Sequence, residues 1–265
     1  MAEPETPREW ALALYRRSPL KQRKLSEIAA LLGPTAGLRC LDLGSDNGLV
    51  SLLLRGRGGS WASGDLTEEA VRSIRSLVGD DVHLVRGDAL PFPDGAFDRV
   101  VVVDMLEHVE DERTFAEELA RVTRAGGRLV VNTPHLKRTA LRRLRHVLGQ
   151  TDEKHGHLRP GYTPARLREL LGGAFEIERV VTYSRFFSEA VDTAIGVGLE
   201  RLGKRSSAKG VVVTASDLER HRRAFRLWSL LYPPVWALTR LDALVPASGY
   251  MLAAAARRRG GTAQT

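Results

Sequence analysis

Cysteine is nearly absent from this 265-residue sequence, which has only Cys40. That excludes an internal disulfide and a multi-cysteine zinc site. No run of about 18 apolar residues occurs, so a simple membrane-spanning helix is not expected. No basic flank followed by an apolar core opens the chain, so no secretory signal is expected and the cytosol is the expected compartment. The phosphate-cradling pattern G-x-x-x-x-G-K-[ST] is missing. The dinucleotide pattern G-x-G-x-x-G is broken, because Asp46 and Leu49 stand where its second and third glycines belong. An acid at that place repels a pyrophosphate, so the loop suits a ligand with a cationic appendage.

What is present is an ordinary globular composition, 43% hydrophobic and 27% charged, which argues against a disordered or fibrous chain. The net charge of +8 is unevenly spread. Residues 1–135 hold 17 basic and 21 acidic residues, whereas 136–265 hold 23 and 11. The second half either faces something acidic or carries a solvated basic surface.

The first 35 residues read as helical. Ser18-Pro19 is a cap and first-turn pair. Leu20, Leu25, Ile28, Leu31 and Leu32 recur near helical spacing before Gly33-Pro34 ends the segment. From residue 36 the pattern alternates. Strands are expected at 39–44, 60–65, 82–85, 97–103 and 128–132, with helices at 49–55, 68–78 and 114–123 between them. Continuous apolar runs such as Val100–Val103 suit parallel strands covered on both faces. This alternation predicts an α/β fold with a doubly wound, mostly parallel, seven-stranded Rossmann-like sheet, two strands coming from 175–183 and 250–256. The expected organisation is an N-terminal helical segment (1–35), a core (36–186), a helical insertion or cap (187–247), and a last strand with a basic, disordered tail (248–265, the tail from Arg257).

In such a sheet, ligands sit beyond the carboxyl ends of the strands. The first strand ends in Asp42-Leu43-Gly44-Ser45-Asp46-Asn47-Gly48, where the glycines permit a tight turn. The second ends at Asp65, placed to accept from a ribose diol. The third ends at Gly87-Asp88-Ala89, where an acid can accept from an exocyclic amine. The fourth ends in Asp104-Met105-Leu106-Glu107-His108.

These stretches, LDLGSDNG (41–48), GDALPFPDGAFD (87–98), DMLEHV (104–109) and LARVTRAGGRLVVNTPH (119–135), resemble the class I S-adenosylmethionine-dependent methyltransferases, in particular small-molecule enzymes of the ubiquinone and menaquinone type. The resemblance spans about 36–183. It implies S-adenosyl-L-methionine as cofactor. It implies that Asp42, Gly44, Ser45 and Gly48 hold the methionine end, that Asp65 and Leu66 hold the ribose, and that Asp88 and Ala89 hold the adenine. Asp104 and Met105 would lie near the sulfonium. Asp46 departs from the family, which often has glycine there.

Methyl transfer needs positioning and exclusion of water, and a base where the nucleophile keeps its proton. His108, assisted by Glu107, is the first candidate. His157, in Lys154-His155-Gly156-His157-Leu158-Arg159-Pro160-Gly161-Tyr162-Thr163, is the second. Asp104, Glu107, His108 and His157 are also residue types that ligate a divalent cation, although no metal is the ordinary expectation. A basic segment with an apolar stripe (136–148, with Lys137 and Arg138) and the aromatics Trp228, Tyr232 and Trp236 near arginines suit an anionic membrane interface or a packed cap. The favoured reading is therefore O-methylation of a small, hydrophobic or lipid-linked acceptor by a cytoplasmic enzyme peripheral to the inner membrane face. An RNA methyltransferase using the basic half as a phosphate tracker is disfavoured because the aromatics cluster with Leu and Pro. A cofactor-binding protein without catalysis is the remaining alternative.

Overall fold

The computed structural model describes residues 6–86, 89–137, 139–149, 156–201 and 215–260, with side chains except at 140, 199–201 and 215–227. Asp88, Arg138, Lys154 and His155 lie outside the described residues.

Seven strands form one sheet in the order β3-β2-β1-β4-β5-β7-β6. They are β1 (Arg39–Leu43), β2 (Ser60–Asp65), β3 (Val82–Leu84), β4 (Phe97–Val103), β5 (Thr123–Pro134), β6 (Phe175–Tyr183) and β7 (Met251–Arg258). The first five are mutually parallel, and β7 lies antiparallel between β5 and β6. This is the expected sheet. The last strand runs two residues into the expected tail: Arg257 pairs with Glu178 at 2.6 Å and Arg258 donates to the Ala120 carbonyl at 3.0 Å.

The alternation along each strand decides which helices cover which face. Leu41, Leu43, Val100, Val102, Leu129 and Val131 pack with Phe115 and Leu119 of α5 (Glu112–Val122) and Leu167 of α7 (Pro164–Leu171). Cys40, Val101, Val103, Val130, Ala253 and Ala255 pack on the other face with Ile28, Leu31 and Leu32 of α2 (Pro19–Leu32) and Leu54 of α3 (Leu49–Arg55). Burial of this kind contributes roughly 1.5–3 kcal/mol per large apolar side chain. Burial also pushes the Cys40 thiol up to about 12, so this cysteine is inert at neutral pH.

Two elements flank the carboxyl edge. Of the N-terminal helices, α1 (Pro7–Arg16) ends there and α2 starts there. α2 is capped by the Ser18 hydroxyl, which accepts from the Lys21 amide at 3.4 Å. Between β6 and β7 lies the cap, α8 (Phe186–Arg201) and α9 (Ala215–Arg240), whose two ends meet where the Tyr250 amide donates to the Ser184 carbonyl at 2.8 Å.

Candidate active site

β1 and β4 lie side by side while their crossovers leave to opposite sides, which opens a crevice above their carboxyl ends. A cavity of about 570 Å³ occupies it, with walls from α1, α2, the β1, β2 and β4 loops, the 134–137 segment, α6 (Ala140–Val147), His157 and α8. Nine of the expected site residues line it: Gly44, Ser45, Asp65, Leu66, Asp104, Met105, Glu107, His108 and His157.

At the nucleoside end, Asp65 closes β2. Its Oδ2 accepts the Asp46 amide at 3.0 Å and its Oδ1 accepts the Leu66 amide at 2.8 Å. Each carboxylate oxygen is thus aimed by one backbone N–H. Gly44, with φ +82°, is where the β1 loop passes under β4. A Cβ there would lie 2.3 Å from the Val103 carbonyl oxygen and 2.6 Å from Met105 Cβ. Asp46 takes φ +54°, a conformation that aspartate tolerates better than most residues, which accounts for its place in a loop that resembles glycine-rich ones. The fit to a nucleoside rests on this: a braced diol acceptor, a loop no side chain can fill at Gly44, and a cavity of nucleoside size.

Three expected positions fall elsewhere. Asp42 is fully buried behind β1, where it accepts from Ser63 at 2.8 Å, from the Ser51 hydroxyl, and from Arg55 at 3.3 Å. Burial raises its pKa despite those partners. It shares its strand face with Cys40, so it braces α3 from beneath rather than facing the cavity. Gly48, φ +79°, starts α3; a Cβ there would lie 2.7 Å from Ile74 Cα of α4 (Glu68–Val78), so its role is helix packing. Ala89 is exposed, bridged to Arg86, and is not a cavity wall.

The reaction end is built on β4 and the turn Leu106–His108. Glu107 is buried and accepts from the Thr133 hydroxyl at 3.1 Å. His108 Nδ1 lies 2.7 Å from the Gly156 carbonyl oxygen, and its ring meets His157 edge to face at 4.8 Å. Glu107, His108 and His157 bring one ligand atom each within 4.8 Å of one another, the donors a divalent cation would need. Asp104, the fourth such residue in sequence, takes φ +46° and is engaged otherwise: Lys24 forms an ion pair with it, and Asn132 donates to its Oδ1 at 2.8 Å.

The loop carrying His157 is held by a carboxylate that the sequence did not single out. Glu112 accepts from the buried Tyr162 hydroxyl at 2.7 Å and pairs with Arg159 at 3.3 Å and with Arg166. Burial alone would raise its pKa, but the Tyr162 and Arg166 hydrogen bonds and the two guanidiniums outweigh that and lower it. Arg159 and Tyr162 of the sequence motif are thus anchors, and His157 is the side chain they present.

Also missed were the lysines of α2. Lys21, Lys24, Ile28 and Leu31 follow one helix face (i, i+3, i+7, i+10), so the face that is buried at Ile28 and Leu31 reaches the cavity with Lys24 half-buried and Lys21 exposed. α6 holds a further difference. Its Arg142, Arg145 and His146 line the cavity, while Leu144, Val147 and Leu148 are exposed. Trp228 and Tyr232 point to the N-terminal helices, Trp228 Nε1 donating to the Arg17 carbonyl at 2.9 Å and the Tyr232 hydroxyl lying 3.5 Å from Gln22 Nε2.

Known proteins resemble this chain in sequence over part of its length and in fold. Residues 41–131 match the family described as "Methyltransferase domain". A demethylmenaquinone methyltransferase from Clavibacter sepedonicus is 38% identical over 104 residues, 38% of this chain and 42% of that protein. The O-methyltransferase cnsE of Penicillium expansum is 32% identical over 133 residues, 44% of this chain and 48% of that one. The matched segments thus span less than half of either curated relative. The [4+2]-cyclase SpnF, 21% identical, superposes with a TM-score of 0.61 over 91% of this chain and 82% of its own, a likeness of fold. Residues 41–131, the segment that matches the methyltransferase-domain family, are set in a seven-stranded sheet that continues to Arg258.

Proposed function

We propose that this protein transfers a methyl group from S-adenosylmethionine to a hydroxyl of a small, hydrophobic or lipid-linked acceptor. The observation that carries the reading is the convergence in one cavity of the braced Asp65 carboxylate, the Asp104 carboxylate and the His108 imidazole. When bound, the cofactor supplies an electrophilic methyl on a cationic sulfur. Asp65 would hold the ribose diol. The cavity walls would exclude water and fix the acceptor oxygen in line with the methyl. A carbonyl oxygen only accepts, so the 2.7 Å contact to Gly156 places the proton of neutral His108 on Nδ1 and leaves Nε2 as the basic nitrogen. Nε2 would then take the proton of the acceptor hydroxyl. Tyr183, Ile195, Pro134 and Tyr250 offer an acceptor wall beside it.

A peripheral place on an anionic membrane, at its inner, cytoplasmic face, is supported by two surfaces. α6 turns its apolar side outward. On α9 and the turn after it, Leu230, Pro234, Ala237, Leu241 and Leu244 are all exposed and recur at four- and three-residue steps. Residues 221–248 carry four arginines against one acid, Asp242, and that acid is occupied with the Arg185, Phe187 and Ser188 amides. Among the described residues no helix is long and apolar enough to cross a membrane.

The test is calorimetric titration with S-adenosylmethionine, followed by turnover assays on a panel of quinols, phenols and lipid-linked alcohols, and sedimentation with anionic and zwitterionic vesicles. Absence of cofactor binding by the folded protein ends the methyltransferase reading. Equal recovery with and without anionic vesicles ends the membrane reading.

A further inference from the structure

Two ammonium groups on α2 face the cavity, and they differ in their company. Lys24 is paired with Asp104, the pair being about a quarter to a third exposed, so it is a wet contact inside the cavity. Burial alone would lower the Lys24 pKa, but Asp104 outweighs it and holds the group charged. Among the described residues, Lys21 makes no ion pair with its side chain, while Lys24 lies close enough to repel it and Asp46 close enough to attract it. Both lysines line the cavity, Lys24 half-buried and Lys21 exposed, on the helix face whose next members are the buried Ile28 and Leu31.

The sheet sets the direction in which a nucleoside ligand extends. Asp65 ends β2, Gly44 follows β1, and Asp104 follows β4, in that lateral order. A ligand whose ribose is held at Asp65 therefore carries its tail across Gly44 toward Asp104, under Lys24 and Lys21. If the tail is an amino acid, it brings one ammonium and one carboxylate. The carboxylate of Asp104, fixed by Asn132, matches the ammonium. The β1 loop offers the tail carboxylate no cation, because its charged side chain is Asp46, which carries the same sign.

We propose that Lys21 and Lys24 are the carboxylate subsite of this cavity, and that binding trades one ion pair for two. The ligand ammonium takes over Asp104, and Lys24 moves from Asp104 to the ligand carboxylate, which Lys21 shares. No covalent bond changes, and charge is conserved, since the tail adds one unit of each sign. α2 is a wall of the same cavity, so the exchange also ties this helix to the ligand. The inference rests on the cofactor assignment above and adds the residues that recognise its amino-acid end.

Calorimetry with three probes separates the outcomes. S-adenosylhomocysteine has the full tail, S-adenosylmethionine adds the sulfonium, and 5′-methylthioadenosine lacks the amino-acid end. K24M and K21M are expected to weaken S-adenosylhomocysteine at least tenfold each and to leave 5′-methylthioadenosine within twofold of wild type. K24R is expected to recover most of the loss. Equal or tighter binding of S-adenosylhomocysteine to K24M would overturn the proposal, making the lysine a plug that competes with ligand. A parallel loss for 5′-methylthioadenosine would also overturn it, making the lysines structural. Thermal melts of each variant identify loss of fold, and K24R remains informative if K24M does not fold. A wild-type protein that binds none of the three overturns the cofactor assignment itself.

Discussion

His108 is locked to the Gly156 carbonyl through Nδ1, and this bond joins the end of β4 to the loop that presents His157. One contact thus fixes the tautomer and closes the cavity wall. Asparagine at 108 can replace the Nδ1–H donor but not the basic Nε2 nitrogen. H108N and H108A are both expected to lower turnover by about 10²–10⁴-fold, with S-adenosylmethionine affinity within threefold of wild type. Turnover by H108N near wild type, with only H108A impaired, would reduce the residue to a loop anchor.

Asp65 is expected to dominate ribose binding. D65A removes the acceptor of the diol and leaves the Asp46 and Leu66 amides without theirs. A hydrogen bond to a charged group is worth about 1.5–3 kcal/mol, so the dissociation constant should rise about ten- to 150-fold in calorimetry. Unchanged affinity would remove Asp65 from the site.

Asp42 should behave as a support rather than a contact. D42A strands Ser51, Ser63 and Arg55, and breaking a buried pair of this kind costs about 3 kcal/mol. The urea midpoint is expected to fall accordingly, while the folded fraction binds S-adenosylhomocysteine within about threefold of wild type. Because burial raises the Asp42 pKa, D42N should cost less than D42A.

Glu112 gives the loop a pH limit. Its folded pKa is depressed, so its contribution is full above the unfolded carboxylate value of about 4.3 and is lost as pH falls through the folded value. Wild type is expected to lose thermal stability below about pH 4. E112Q should be less stable by about 2 kcal/mol at pH 7 and show a flatter profile in acid. A parallel acid profile for E112Q and wild type would contradict the assignment.

Chelation separates base from metal. With Asp104 neutralised by Lys24, the remaining donors are Glu107, His108 and His157. Turnover is expected to survive dialysis against a chelator. Loss of activity restored by Mn²⁺ or Mg²⁺ would convert the cluster into a metal centre.

Much of this was legible in the sequence because parallel strands buried on both faces are unbroken apolar runs, and their ends are therefore easy to find. Asp65, Asp104 and His108 were located in that way. Asp42 was misplaced by treating the whole first loop as ligand-facing. The two-residue alternation was already visible, since Asp42 follows Cys40 on the same face and Cys40 is buried under α2 and α3. Lys21 and Lys24 were missed because lysine on a helix normally marks the outer surface, although their spacing to Ile28 and Leu31 put them on the face that reaches the cavity. Glu112 carried no signal, as its role exists only once α5 and the 156–166 loop are packed together. The exposed side of α6 was read correctly as apolar, but its orientation depends on α8, which local periodicity does not reveal.

The bond between Tyr250 and Ser184 has a wider meaning. It brings both ends of the 184–250 excursion to one point between adjacent strands, so the sheet registers without reference to what lies between them. A different pair of helices grafted there would leave the pairing of β6 with β7 undisturbed. Acceptor choice can therefore drift in evolution, or be exchanged at the bench, as a cassette.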